Sequence, residues 1–401
     1  MDYKPASEGE LSAILTSAAK SGSRLKITGG GTRPVGNPVK ADKNLYTSKI
    51  TGISLYEPGA LTLVAKAGTT LEEINKVLAE ENQQLPFEPT DYAGLFGIKG
   101  KSTIGGVVAA AVSGPRRIQA GACRDSLIGV RFVTGEGDII KNGGRVMKNV
   151  TGYDLVKLMC GSHGTLGIIT EVAFKVLPRP EVTGVVLVSG LDDATAVKVL
   201  SQAITSPFDV SGVAHAQHSS EGGPLTMIRV EGFSDSIRYR TGRLKELIGP
   251  LVPSGTEIAI ETDATKTAAG WKWIGDVEAF HGRQGALWRL SVKPGDSPSL
   301  VSQISSEMPC EAVYDWAGGL VWLLVDDEGD GGEIVIRGAV NAKGGHATLI
   351  RASEKMRRKV EAFHPQVSRL VEISEGLRRQ FDPAGILNPG LMLRRPILTE
   401  A

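Results

Sequence analysis

Three glycine-rich turns carry the most chemical promise: Gly29-Gly30-Gly31-Thr32, Ser102-Thr103-Ile104-Gly105-Gly106, and Gly161-Ser162-His163-Gly164-Thr165-Leu166-Gly167. Glycine lets backbone N–H groups converge on an anion and lets the chain approach a ligand closely. Two such turns could wrap a pyrophosphate without a lysine. Two sharper phosphate motifs fail. Gly100-Lys101-Ser102 ends like a P-loop, but position 95 is Leu95 where the motif needs glycine. A GxGxxG fingerprint begun at Gly29 meets Pro34 at its last glycine. On spacing alone, ordinary tight turns remain the simpler reading.

Other reactive residues are sparser. Ser162 stands beside His163, but adjacent residues rarely form a nucleophile–base pair and GxSxG is absent. His215 and His218 would share one helix face at i, i+3, without a third metal ligand at a sensible spacing. His346 sits in a loop, Gly344-Gly345-His346-Ala347-Thr348, that turns into a short strand. Arg116 and Arg117 follow Gly114-Pro115; a guanidinium there can pair with phosphate or carboxylate, or simply be solvated. In Leu287-Trp288-Arg289-Leu290-Ser291, strand alternation puts Trp288 and Leu290 on one face and Arg289 on the other, toward water or a polar cleft.

The elements that must position these residues come next. Apolar spacing predicts a helix over 7–20, then a strand over 25–28 that runs straight into the first glycine turn. A strand is expected over 61–67. Thr70 and Glu73 form a capping box for a helix over 71–81. Strands over 126–134 and 168–177 flank a hairpin turn at 135–138 and a short helix over 153–159. Pro178 and Pro180 mark a boundary. Beyond it, strands (182–188, 227–230, 258–261, 287–292, 320–325) alternate with helices (192–204, 235–248, 334–341), an α+β pattern with an antiparallel sheet and helices on one face. The tail is expected to be helical over 353–380 and extended or turned after Pro383.

Composition sets the limits. The chain has 401 residues and 50 glycines, well above the roughly 7% of an average protein. Sixteen of them fall in residues 94–167, with no collagen period or linker tract. Lys plus Arg is 45 against 44 Asp plus Glu, which leaves no electrostatic footprint for nucleic acid. No stretch approaches 18 apolar residues, so no membrane span is expected. The first residues lack an apolar run, and Cys123, Cys160 and Cys310 lie far apart, so a reduced, cytoplasmic protein is expected.

In their order and spacing, the three glycine turns, the 168–171 sequence IITE, and the closing Phe381-Asp382-Pro383 with Ile386-Leu387-Asn388-Pro389-Gly390 resemble the vanillyl-alcohol-oxidase (PCMH) type of FAD-binding flavoprotein. The second-domain segments LWRLS (287–291), DWAGG (315–319) and GGHATL (344–349) resemble the FAD-binding subunit of bacterial glycolate oxidase, or glycolate dehydrogenase. The resemblance implies residue roles. Gly29, Gly30, Gly31 and Thr32 would contact the FAD pyrophosphate through their amides, and Thr103, Ile104, Gly105 and Gly106 would close its other side. Gly161, Ser162, Gly164, Thr165 and Ile169 would lie along the ribityl and adenosine part, and Asn388 would approach from the C-terminal cap. Some relatives tether the flavin through a histidine in the first turn; Thr32 stands there, so noncovalent FAD is expected.

The architecture expected is α+β: a two-lobed PCMH-type FAD-binding domain over 1–178, a smaller α+β domain with an antiparallel sheet over 179–350, and a C-terminal helical segment over 351–401 that returns to the first domain. The function expected is an FAD-binding oxidoreductase subunit of a glycolate-oxidising complex. Its partners would be a second FAD-containing subunit and an iron–sulfur subunit, since the chain lacks a cluster motif of its own. Attachment to the inner membrane would be peripheral, through the complex. If the chain binds the small 2-hydroxy acid itself, Arg289 and Arg351 would hold the carboxylate and His346 would take the hydroxyl proton. Two alternatives are a self-sufficient FAD dehydrogenase for another 2-hydroxy acid and a non-catalytic subunit that uses the fold as a scaffold.

Overall fold

The computed structural model describes residues 2–144, 152–219 and 222–393. The helix Glu8–Ser21 starts where the Ser7 hydroxyl accepts the Glu10 amide, and stops at Gly22 in left-handed backbone. It covers a short parallel pair, Leu25–Thr28 with Lys43–Tyr46. A five-stranded antiparallel sheet follows, in the order Ile53–Glu57, Thr62–Lys66, Ile168–Lys175, Leu127–Val133, Ile139–Gly143. Thr70 caps the helix Leu71–Glu80, accepting from the Glu73 amide at 3.2 Å, but among the described residues the Glu73 side chain does not return the bond that would complete the expected capping box.

The second sheet has eight antiparallel strands in the order Ile258–Glu261, Val182–Ser189, Leu225–Gly232, Val210–Ala216, Cys310–Asp315, Leu320–Val325, Ala286–Ser291, His346–Arg351. Alternation divides its side chains. Val186, Val188 and Ile228 pack under the helices Asp193–Ile204 and Ser234–Ile248, and Trp288, Leu290 and Leu323 under Ser297–Glu307 and Glu333–Ala342. The opposite face, with Leu287, Val313 and Trp322, joins the core of the glycine-rich domain, so the domains share a dry boundary. One helix, Ala264–Gly275, lies on this second side, with Trp271 and Ile274 in the shared core.

Two expectations need correction. His215 lies in the strand Val210–Ala216, not on a helix. It is fully buried, with Nδ1 at 2.9 Å from the Thr226 hydroxyl and Nε2 facing Asp193. Among the described residues no cluster of His, Cys, Asp or Glu could hold a metal. The helix over 353–380 is two pieces, Glu354–Arg357 and Ser368–Phe381, because Pro365 cannot continue a helix and biases its neighbour to extended backbone. The last described segment threads back to the start. Leu25 N–H donates to the Ile386 carbonyl at 2.8 Å, and Asn388 N–H to that of Leu25 at 3.0 Å.

Candidate functional site

The strand Leu25–Thr28 ends at the mouth of a cavity of about 480 Å³. Gly29, Gly30, Gly31, Thr32, Thr103, Gly105, Gly106, Gly164, Ile169 and Asn388 line it. The three glycine turns, distant in sequence, therefore meet around one space. Glycine is required there by contact. A β-carbon on Gly29 would stand 2.7 Å from the Thr103 hydroxyl, one on Gly105 would stand 2.5 Å from the Ala67 β-carbon, and one on Gly30 would overlap the Lys101 carbonyl. Gly31, at φ +72°, turns the chain in a region that side chains avoid.

The cradle has unspent donors. The amides of Gly29, Gly30, Gly31, Thr32 and Gly106 make no hydrogen bond within the described residues. The Thr103 hydroxyl, which lines the cavity, is buried without a partner. Buried polar groups are rarely left so. Converging amides and a hydroxyl without acceptors suit an anionic, oxygen-rich group such as a pyrophosphate with its ribityl chain.

Not every expected residue faces the cavity. Ile104 is fully buried and anchors its turn in the core. Gly161, Ser162 and Thr165 stand behind the wall, where Thr165 donates to the Ser162 carbonyl at 2.7 Å and holds the third turn closed. Asn388 lines the cavity with both ends of its amide bonded to the walls. Its Oδ1 accepts from Ile27 N–H and its Nδ2 donates to the His163 carbonyl, both at 2.8 Å. It clamps two walls together.

Sequence reasoning missed two wall residues. Arg33 follows the first turn and is partly buried. It donates to the Ser102 hydroxyl at 2.6 Å and to the Thr90 carbonyl at 2.7 Å, beside the Tyr92 ring. Burial pushes its pKa down. The signal was there: a basic residue abutting a glycine turn. His163, at φ +50°, packs edge-on against Phe363 at 5.1 Å, and burial lowers its pKa to about 4. It is therefore neutral at neutral pH.

The residues expected to act on substrate lie at the domain boundary, outside the cavity lining. Arg289 is directly opposite Trp322 on the neighbouring strand, and Trp322 meets Tyr92 edge-on at 5.9 Å. That contact leads through Tyr92 to Arg33 and the cavity. His346 pairs with Ser291, two residues from Arg289, and is exposed. Burial and the positive charges of Arg289 and Arg117 lower its pKa. Arg351 is committed elsewhere: it donates to the carbonyls of Leu95 at 2.6 Å and Phe280 at 3.0 Å. The geometry does not join it with Arg289. Arg116 is likewise structural, paired with Glu88 and Glu231.

Residues 2–143 match the family model described as FAD binding domain. The chain is 33% identical over 370 residues to glycolate oxidase subunit GlcE of Escherichia coli K12, covering 92% of each protein. It is 26% identical to glycolate oxidase subunit GlcD of Bacillus subtilis 168, covering 98% of this chain and 88% of the relative. Among solved structures, p-cresol methylhydroxylase with substrate bound superposes at TM-score 0.72 and 14% identity, over 99% of this chain and 89% of that one. An alkyldihydroxyacetonephosphate synthase superposes at 0.70 and 17%, over 96% and 75%. These last two establish the PCMH-type fold alone. Together the matches identify an FAD-dependent oxidoreductase: the chain belongs to the FAD-binding flavoprotein family of the glycolate oxidase subunits.

Proposed function

We propose that this chain is the FAD-carrying subunit of a complex that oxidises glycolate to glyoxylate and passes the electrons to an iron–sulfur partner, beside a second FAD-containing subunit. The observation that carries the reading is the cavity walled by three glycine turns, with free amides and the unpartnered Thr103 hydroxyl. The likeness to a glycolate oxidase subunit over nearly the whole chain supplies the substrate.

Within that reading, the amides of residues 29–32 and 106 hold the pyrophosphate, and Asn388 keeps the walls together. The cofactor, when bound, supplies the hydride acceptor. Arg289 attracts the glycolate carboxylate. A ring nitrogen of His346, whose pKa is lowered by desolvation and by its positive neighbours, takes the hydroxyl proton. Thr32 offers no imidazole for a tether, so the cofactor is held without a covalent bond.

The test is purification of the chain alone and with copurifying partners, followed by flavin content and glycolate-dependent dye reduction. A yellow chain that turns over glycolate only with its partners supports the proposal. Full turnover by the isolated chain points to a self-sufficient dehydrogenase. A colourless chain that takes up no FAD overturns the reading.

A further inference from the structure

Arg116 and Arg117 are neighbours in sequence with opposite fates. Arg116 is buried and ion-paired with Glu88 and Glu231. Arg117 is exposed, and no described residue gives it an ion pair or hydrogen bond. Its guanidinium carbon lies 4.4 Å from the centre of the Trp316 ring. Arg289, from the other domain, lies 5.2 Å from the centre of the same ring and makes no salt bridge among the described residues, although the buried Asp315 carboxyl attracts it through space. Asp125 attracts Arg117 only through space, because its carboxylate is spent on the Ala122 amide at 2.8 Å.

The ring between them is fixed. Trp316 and Ala317 both adopt left-handed backbone, at φ +53° and +59°, which costs about 1 kcal/mol or more per residue and persists only where the surroundings enforce it. The Trp316 amide donates to Asp315 Oδ1 at 2.7 Å, and its indole N–H donates to the Gly114 carbonyl of the other domain at 3.0 Å. Two like charges held around one rigid ring repel each other, and an anion seated between them relieves that repulsion. A guanidinium suits both halves of such a site, since it stacks on aromatic faces and presents a donor fork to carboxylate oxygens.

We propose that Arg117 and Arg289 form a cross-domain clamp for the carboxylate of the 2-hydroxy acid, with Trp316 as its fixed platform. The clamp rests on the reading above that the acid is bound by this chain. It assigns to Arg117 the partnership with Arg289 that was expected of Arg351, and it draws one arginine from each domain. His346, paired with Ser291 on the neighbouring strand, shares the sheet face of Arg289.

The test uses the FAD-loaded chain and oxalate, a carboxylate with no oxidisable hydroxyl, with binding followed by isothermal titration. Flavin content is read first, so that a colourless parent chain counts against the proposed function and not against the clamp. Arg117→Met and Arg289→Met are each expected to weaken oxalate about tenfold or more with flavin content unchanged, and Arg117→Lys to lose less than Arg117→Met. Parent-like oxalate binding by Arg117→Met would overturn the clamp. So would a yellow parent chain that binds no oxalate.

Discussion

Thr103 keeps a buried hydroxyl beside the first glycine turn with nothing to bond. A hydroxyl in that state is a cost to the empty protein and an asset once an acceptor arrives. Thr103→Val is therefore expected to leave the FAD-free chain as stable or up to about 1 kcal/mol more stable, and to weaken FAD about tenfold. Denaturant unfolding and FAD titration measure the two effects separately. Gly30→Ala is harsher, because its β-carbon would meet the Lys101 carbonyl; we expect retained secondary structure by circular dichroism and loss of FAD on gel filtration. His163 sets a pH dependence. Burial lowers its folded pKa to about 4, below the ordinary 6.5, so the fold favours the neutral ring. Its contribution is fully present above pH 6.5 and is lost as pH falls from 6.5 through about 4, by at most about 3 kcal/mol. His163→Asn, which tolerates the positive φ, should flatten that slope in the FAD-free chain. At this scale the glycine turns were legible only as one possible anion cradle, and it was the family resemblance that singled them out together with Asn388. The commitment of Arg351 to two carbonyls was not legible, since nothing local to it announces Leu95 or Phe280.

Strands and helices with clear periodicity or caps were legible: the Thr70-capped helix, the strand Ile258–Glu261, and the strand Leu320–Val325. The strand Val210–Ala216 was not. Every residue in it is buried, including Ser211 and His215, so it lacks the alternation by which a half-buried strand is recognised. Its neighbour in the sheet, Leu225–Gly232, carries the charge that locks the domains. Arg229 is bidentate to Glu88, at 2.9 and 2.8 Å, stacks on Trp271 at 4.3 Å, and lies 3.6 Å from Glu231. Burial drives the Glu88 carboxyl upward, yet Arg229 and Arg116 more than offset it and hold it below the usual range. Removing one member strands the others. Arg229→Met should cost about 3–5 kcal/mol, read as an earlier unfolding midpoint in denaturant. The double variant Arg229→Met with Glu88→Gln should recover part of that loss, because fewer buried charges then lack a partner.

The whole molecule closes on itself through the cavity. Its walls come from the chain's start, its middle, and the closing segment that Asp382 braces by accepting the Ile386 amide at 3.0 Å and the Leu387 amide at 2.9 Å. A ligand filling that space touches every wall and is absent from the unfolded chain, so it must stabilise the fold by mass action. At a hundredfold excess over its dissociation constant, FAD should add about 2.7 kcal/mol, seen as a denaturant midpoint that rises with FAD concentration. That shift would appear whether or not the flavin is also bonded covalently, so a second reading separates the cases. The first turn offers the Thr32 hydroxyl and no imidazole, and His163, the one histidine lining the cavity, packs against Phe363. Acid precipitation should therefore release the flavin to the supernatant. Colour retained in the washed pellet would mean a covalent bond, and His163 would be the residue to replace first.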